Sequence, residues 1–252
     1  MVLLLAWHRT LQESAPTPMA VQPLQSAIAP QQADASVHAV PASDFLRAYT
    51  AQAHGALEKS PVSQCLMATQ ITAPQYVRVL AKWLACWEPL ETVLQSTWPA
   101  DIDPIYIPPA RCALLRHDLQ TALRVVGDDS ASAKSLAADA VWTDRMQRAT
   151  EQPGGWFGIA YVAQGALNGG AVIAAHLRRA LPPDLAQSTT FFAGHPMGDL
   201  PPLAKRWQQW CEWLDAQVTT PEHKLVAAEA AMLAFRSIAH AFNDEGAAVA
   251  HP

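Results

Sequence analysis

Six of the 11 glycines in this 252-residue chain, Gly154, Gly155, Gly158, Gly165, Gly169 and Gly170, fall within one 17-residue window. Few glycines are left for the rest of the sequence, and the overall content is well below the usual ~7%. A sandwich or barrel needs a turn every 8–12 residues or so, and those turns draw heavily on glycine. So sparse and so clustered a supply argues against any turn-rich β architecture.

The apolar spacing points the same way. From Ser43 onward it follows the helical period, and no convincing period-2 strand occurs. Ser43 or Asp44 is a plausible N-cap before Phe45, Leu46, Tyr49, Ala53 and Leu57, in a helix ending near Lys59-Ser60-Pro61. A second helix starts at Thr72 with Pro74 in its first turn, carries a stripe from Tyr76 to Leu94, and should kink at Pro89. A proline-rich loop follows, then a helix with Leu114, Leu115, Leu119 and Leu123 that Gly127 stops. Residues 128–153 are weakly patterned, with one short helix expected near Ala133–Val141. A long helix runs from about Trp156 to Ala180, residues 184–199 read as a loop, and two helices cover roughly Leu203–Gln217 and Pro221–Phe242. The expected fold is all-α, a multi-helical bundle in a single domain at 43–242. Residues 1–42 read as a disordered leader, with Met19 as an alternative start, and 243–252 as a disordered tail.

Charge and cysteine usage exclude several classes. A formal charge of −5 without a long basic run gives no electrostatic footprint for nucleic acid. Cys65, Cys86, Cys112 and Cys211 form no C-x-x-C pair, so neither a zinc site nor a disulfide framework is indicated and a reducing cytoplasm is expected. The apolar start Met1–Trp7 is too short to span a membrane and lacks the basic residues that open a signal peptide.

The glycine-bearing helix is the most informative segment. Interior glycines cost about 0.5–1 kcal/mol each relative to alanine, so Gly165, Gly169 and Gly170 together give up roughly 2–3 kcal/mol. Gly165 and Gly169 stand at i and i+4 and open the same face. One reading is a small-residue face for close helix packing. The other is a flat ligand lying against bare backbone. A phosphate loop is a poor third, because no strand precedes the segment and no G-K-[ST] follows.

Among the nine histidines none has a helical partner at i+3 or i+4, so the zinc pattern H-x-x-x-H is absent. His54 lies beside the apolar stripe of the first helix, at i+4 from Thr50 and i+8 from Leu46. It is either a half-buried, hydrogen-bonded histidine or a ligand to heme iron. Arg47, two turns earlier on the same side, is either a solvated charge or a clamp for a carboxylate at the mouth of a site.

Two stretches are similar to motifs of the bacterial heme oxygenases. Leu46-Arg-Ala-Tyr-Thr50-Ala-Gln-Ala-His54-Gly-Ala-Leu57-Glu58 resembles the proximal pattern L-[KR]-x-x-T-x-x-x-H-x-x-x-E. Tyr161-Val162-Ala-Gln-Gly165-Ala-Leu-Asn-Gly169-Gly170 resembles the distal Y-V-x-E-G-x-x-x-G-G. Arg111, Leu115, Asp118 and Leu119, the pair Phe191-Phe192 with Gly194, Trp207 and Ala227–Phe235 follow in the family's order over about residues 43–242. The resemblance implies heme b as cofactor and substrate, with His54 as the axial ligand of the iron. It further implies Gly165 and Gly169 as the distal glycines, with Gly170 extending their contact, and Arg47 against a propionate. The implied reaction is oxygen-dependent opening of heme to biliverdin, carbon monoxide and ferrous iron, with electrons from a ferredoxin or a flavin reductase. A bacteriophytochrome is the partner implied by the members most resembled. Gln164, Ala166 and Asn168 depart from the residues common at those positions, and Gln208–Glu212 replaces basic clamps. Those departures motivate the alternative of a non-catalytic heme-binding or heme-sensing protein. Another enzyme on the same scaffold, a thiaminase-like hydrolase, would need a positioned cysteine or paired carboxylates.

Overall fold

A computed structural model describes residues 40–127, 140–194 and 203–243. Among these residues there is no strand. Nine α-helices are defined: α1 (Ala42–Glu58), α2 (Pro61–Leu66), α3 (Ala73–Ser96), α4 (Cys112–Val126), α5 (Ala140–Thr150), α6 (Gly155–Ala180), α7 (Thr190–Ala193), α8 (Leu203–Gln217) and α9 (Pro221–Asn243). Of the leader expected at 1–42 and the tail expected at 243–252, residues 1–39 and 244–252 lie outside the described residues, as do most of the helix at 133–141 and His195, while Ala42 and Asn243 are helical.

The local chemistry of the ends explains where the helices begin and stop. Thr72 opens α3 with a full capping box, its hydroxyl accepting from Gln75 N while the Gln75 side chain accepts from Thr72 N. Gly127 closes α4 in the left-handed conformation, at φ 73°, as its position predicts. Pro89 lies inside α3, which runs unbroken from Ala73 to Ser96.

Three boundaries differ from the sequence reading. α1 starts one turn early, at Ala42 after Pro41, because Ser43 is not its cap: Ser43 N and Oγ both bond the Asp215 carboxylate of α8, at 2.7 and 3.0 Å. The loop expected at 184–199 contains α7, whose first turn is held by the buried carboxylate of Asp118. The weak region before Gly154 contains α5, anchored by the buried Met146.

α9 organises the bundle and packs against α6, α1, α3 and α5. Its inward positions are mostly alanine: Ala227, Ala228, Ala230, Ala231 and Ala234 are all buried. Small side chains let several helices approach one axis closely, and α6 comes closest. A Cβ at Gly158 would stand 1.9 Å from the carbonyl oxygen of Ala227. By length and composition α6 and α9 could each cross a bilayer, but half of each apolar stretch is buried inside the bundle.

Gly158→Ala therefore forces apart the α6–α9 contact and is expected to destabilise by about 3 kcal/mol. That corresponds to a Tm lowered by roughly 6–12 °C. Gly55→Ala is the control: open space surrounds its Cβ position in mid-α1. It should leave Tm unchanged or raise it, by about 0.5–1 kcal/mol of stability. Thermal denaturation of both variants by circular dichroism checks the contrast.

Candidate functional site

α1 and α6 both lean on α9 but scarcely touch each other. The gap between them is a cleft of about 810 Å³, counting its open mouth. α1 contributes His54, Leu57 and Glu58, and α6 contributes Tyr161, Val162, Gly165, Ala166, Gly169 and Ile173. Phe235, Ile238 and Phe242 of α9, Trp83 of α3 and Ser63 of α2 complete the lining. The lining is mainly apolar with few polar groups, the character of a small-molecule site.

The turn of α1 brings His54 here. Leu46 and Thr50 are buried on the same stripe, and the Thr50 hydroxyl is spent on its own helix, donating to Leu46 O at 2.7 Å. The His54 ring meets Phe235 edge-on, with centroids 5.9 Å apart. Its Nδ1 is 3.8 Å from Glu58 Oε1, one turn further on, and that carboxylate is only 8% exposed. At this distance the pair is an electrostatic contact rather than a hydrogen bond.

The glycines of α6 divide between two tasks. Gly165 and Gly169 line the cleft, while Gly158 and Gly170 serve packing. Gly170 does not extend the ligand-facing surface. It is buried against α7, where a Cβ would stand 2.5 Å from Phe192 O. Arg47 is not part of the lining but lies near it, partly exposed on α1, close enough to act electrostatically on Tyr161, and its Nη2 bonds Asp44 Oδ1 at 2.7 Å. Ala166 belongs to the cleft, whereas Gln164 points to the other side of α6.

Behind the cleft the wall is aromatic. The Trp83 ring packs against Phe191, Phe192 and Phe242, with centroids 5.3–5.6 Å apart. α7 holds this wall in place through two buried groups of opposite charge. Asp118 Oδ1 accepts from Thr190 Oγ1 and Oδ2 accepts from Phe191 N, both at 2.8 Å. The Arg111 guanidinium, 2% exposed, lies 4.4 Å from the Trp87 ring and 4.9 Å from the Phe191 ring. Burial lowers the Arg111 pKa to about 10, so the side chain stays cationic.

Two lining donors are buried with no acceptor among the described residues, the indole Nε1 of Trp83 and the hydroxyl of Tyr161. Burial raises the Tyr161 pKa, so the phenol stays neutral. A buried donor left unpaired costs about 1–3 kcal/mol, and an occupant carrying oxygen acceptors would offset it. Sequence reasoning assigned neither residue. Trp83 carried a usable signal, three residues after Leu80 on the buried stripe of α3, but periodicity does not distinguish a lining indole from a core one.

The other chemistries weighed from sequence find little here. Burial raises the pKa of all four thiols, pushing Cys86 and Cys211 up to about 12, so none is an activated nucleophile. Among the described residues no group of three or more His, Cys, Asp or Glu is placed to hold a bare metal ion. A single imidazole facing a glycine-lined helix across an apolar gap suits a metal whose equatorial positions are filled by a flat macrocycle.

The architecture is an all-helical bundle with an apolar cleft between a histidine-bearing helix and a glycine-bearing one. The heme oxygenase family model matches residues 40–244, and the chain belongs to that family. Among solved structures it is similar to the heme oxygenase of Leptospira interrogans. The TM-score is 0.62 at 21% identity, covering 81% of this chain and 98% of the other. It is also similar to heme oxygenase-1 of the cyanobacterium Synechocystis in complex with heme. Here the TM-score is 0.54 at 17% identity, covering 80% of this chain and 92% of the other. These likenesses establish the fold. No curated protein sequence matches the chain.

Desolvation is the largest influence on Asp118 and raises its pKa in the folded state. An acid whose folded pKa is raised contributes stability below its ordinary pKa and loses it as pH climbs through the raised value. The destabilisation caused by Asp118→Asn should therefore be larger near pH 4 than near pH 7. Urea denaturation across that range measures it, and a pH-independent difference would contradict the assignment.

Proposed function

We propose that this protein is a heme-degrading enzyme, opening heme with dioxygen to biliverdin, carbon monoxide and ferrous iron. His54 facing Gly165 and Gly169 across one apolar cleft is the observation that carries the reading. The residues present fit the substrate. The lining is apolar, one imidazole is available, and the buried donors of Trp83 and Tyr161 await acceptors. His54 would hold the iron through its imidazole, with Glu58 one turn further along α1. Gly165 and Gly169 are assigned to leave room above the plate and to present bare backbone there. Ala166 adds no acid beside them. Arg47, already oriented by Asp44, is assigned to a propionate at the mouth.

Bound heme supplies the oxygen-activating iron and is itself the molecule opened. The chain's own part is to seat the plate, keep the imidazole neutral, exclude bulk water with its aromatic wall and hold polar donors in place. Electrons come from outside, from a ferredoxin or a flavin reductase. Supply of the bilin to a bacteriophytochrome is the proposed role for the product. The raised thiol pKa values speak against a cysteine-dependent hydrolase.

Mixing the protein with hemin should give a Soret band at one equivalent. Ferredoxin, its reductase and oxygen should then convert that band to a biliverdin spectrum. His54→Ala should lose the low-spin or five-coordinate histidine signature and at least 100-fold of turnover, a loss of about 2.7 kcal/mol in the barrier term. Stable heme binding without bilin under a working donor would assign the protein to heme binding or sensing instead.

Gly169→Leu should fold normally yet weaken hemin affinity by tenfold or more, because its side chain enters the space reserved for the plate. A hemin titration followed at the Soret band reads this, with circular dichroism confirming the fold.

A further inference from the structure

α6 is a wall of two clefts. The second lies on its opposite side, bounded by Gln164 and Leu167 of α6, the end of α3, the segment 104–110 and α8, with an empty volume of about 1,980 Å³ counting its open mouth. Three of its features point to a ligand. Its walls are flat and aromatic: Tyr106 stacks on Trp213 at 4.4 Å and 3°, and the indole of Trp210 is fixed by its bond to Tyr106 O. Pro104, Pro108 and Pro109 stiffen the facing segment, so the cleft cannot readily collapse. At its edge Trp98 is 51% exposed and Ile105 67%, an apolar surface left uncovered.

The polar groups add a charge preference. Arg206 lines the cleft and makes no ion pair among the described residues, and its Nε is buried without an acceptor. The amide oxygen of Gln164, from the opposite helix, is likewise buried without a donor. Glu212, also in the lining, accepts from Gln208 Nε2 at 2.9 Å and keeps its charge. A guanidinium with no ion pair among the described residues, in a cleft lined by aromatic rings, favours a planar anion, because it can pair with a carboxylate while the rings stack on the ligand's body.

We infer that this second cleft is a binding site for a planar aromatic carboxylate, held by Arg206 and stacked on the tryptophan and tyrosine faces. The site is independent of the heme cleft and does not rest on the proposed activity. Its occupant would lean on Gln164 and Leu167, on the reverse of the helix whose other face carries Gly165 and Gly169.

The test uses 2-naphthoate as probe on the full chain, with 2-naphthamide as an uncharged isostere and cyclohexanecarboxylate as an anion without a π-face. Calorimetry should give a Kd near 1 mM or tighter for naphthoate, as ~0.3 kcal/mol per heavy atom implies. Each comparison compound should bind at least fivefold more weakly. Arg206→Gln should weaken naphthoate at least fivefold and leave naphthamide unchanged. Indole resonances of Trp98 and Trp213, assigned by their phenylalanine variants, should shift on titration. No binding at 10 mM, equal binding of naphthoate and naphthamide, or shifts confined to other tryptophans would each overturn the proposal. The naphthamide comparison needs no variant, so it stands even where Arg206→Gln fails to fold.

Discussion

The approach of α6 to α9 at Gly158 is the contact on which the rest of the structure depends. No side chain fits between the α6 backbone and the Ala227 carbonyl, so the two longest apolar helices touch as bare surfaces. Because α9 is alanine-rich on its inward positions, it can accept α1, α3 and α5 around the same axis. The cleft is a by-product of that arrangement. α1 and α6 are held by a common partner and not by each other, which leaves the gap between them.

The cleft is in turn supported from behind. Asp118 and Arg111 are costly to bury, yet both are spent on α7, a helix of four residues that could not persist alone. Through Phe191 and Phe192 that short helix sets the position of Trp83. A charge at the protein's interior and a ring at the cleft wall are therefore linked over three elements. Polar burial in this fold serves placement more than cohesion.

Most of the fold was legible in the sequence because helical period and end chemistry agree. Thr72 with Gln75, Gly127 and Pro182-Pro183 mark boundaries found within a residue or so. What escaped was tertiary in origin. Ser43 looks like a cap and is instead claimed by Asp215, a residue 172 positions away. The segment at Thr190 has no helical pattern of its own and exists because Asp118 receives its first turn. At the site, spacing brought out His54, Gly165 and Gly169, which do share one cleft. Spacing could not separate them from Gly170, which shares the motif but is buried against α7. The glycine cluster divides by position: Gly158 and Gly170 stand where neighbouring backbone leaves no room for a side chain, while Gly165 and Gly169 line the cleft.

That division has a mechanical consequence. α6 is clamped at Gly158 by α9 and at Gly170 by α7, and the turns between the clamps are the ones weakened by Gly165 and Gly169. A beam fixed at two points and thinned at its centre bends there first. Any bending of α6 is thus concentrated in a short mid-span that forms one wall of the cleft.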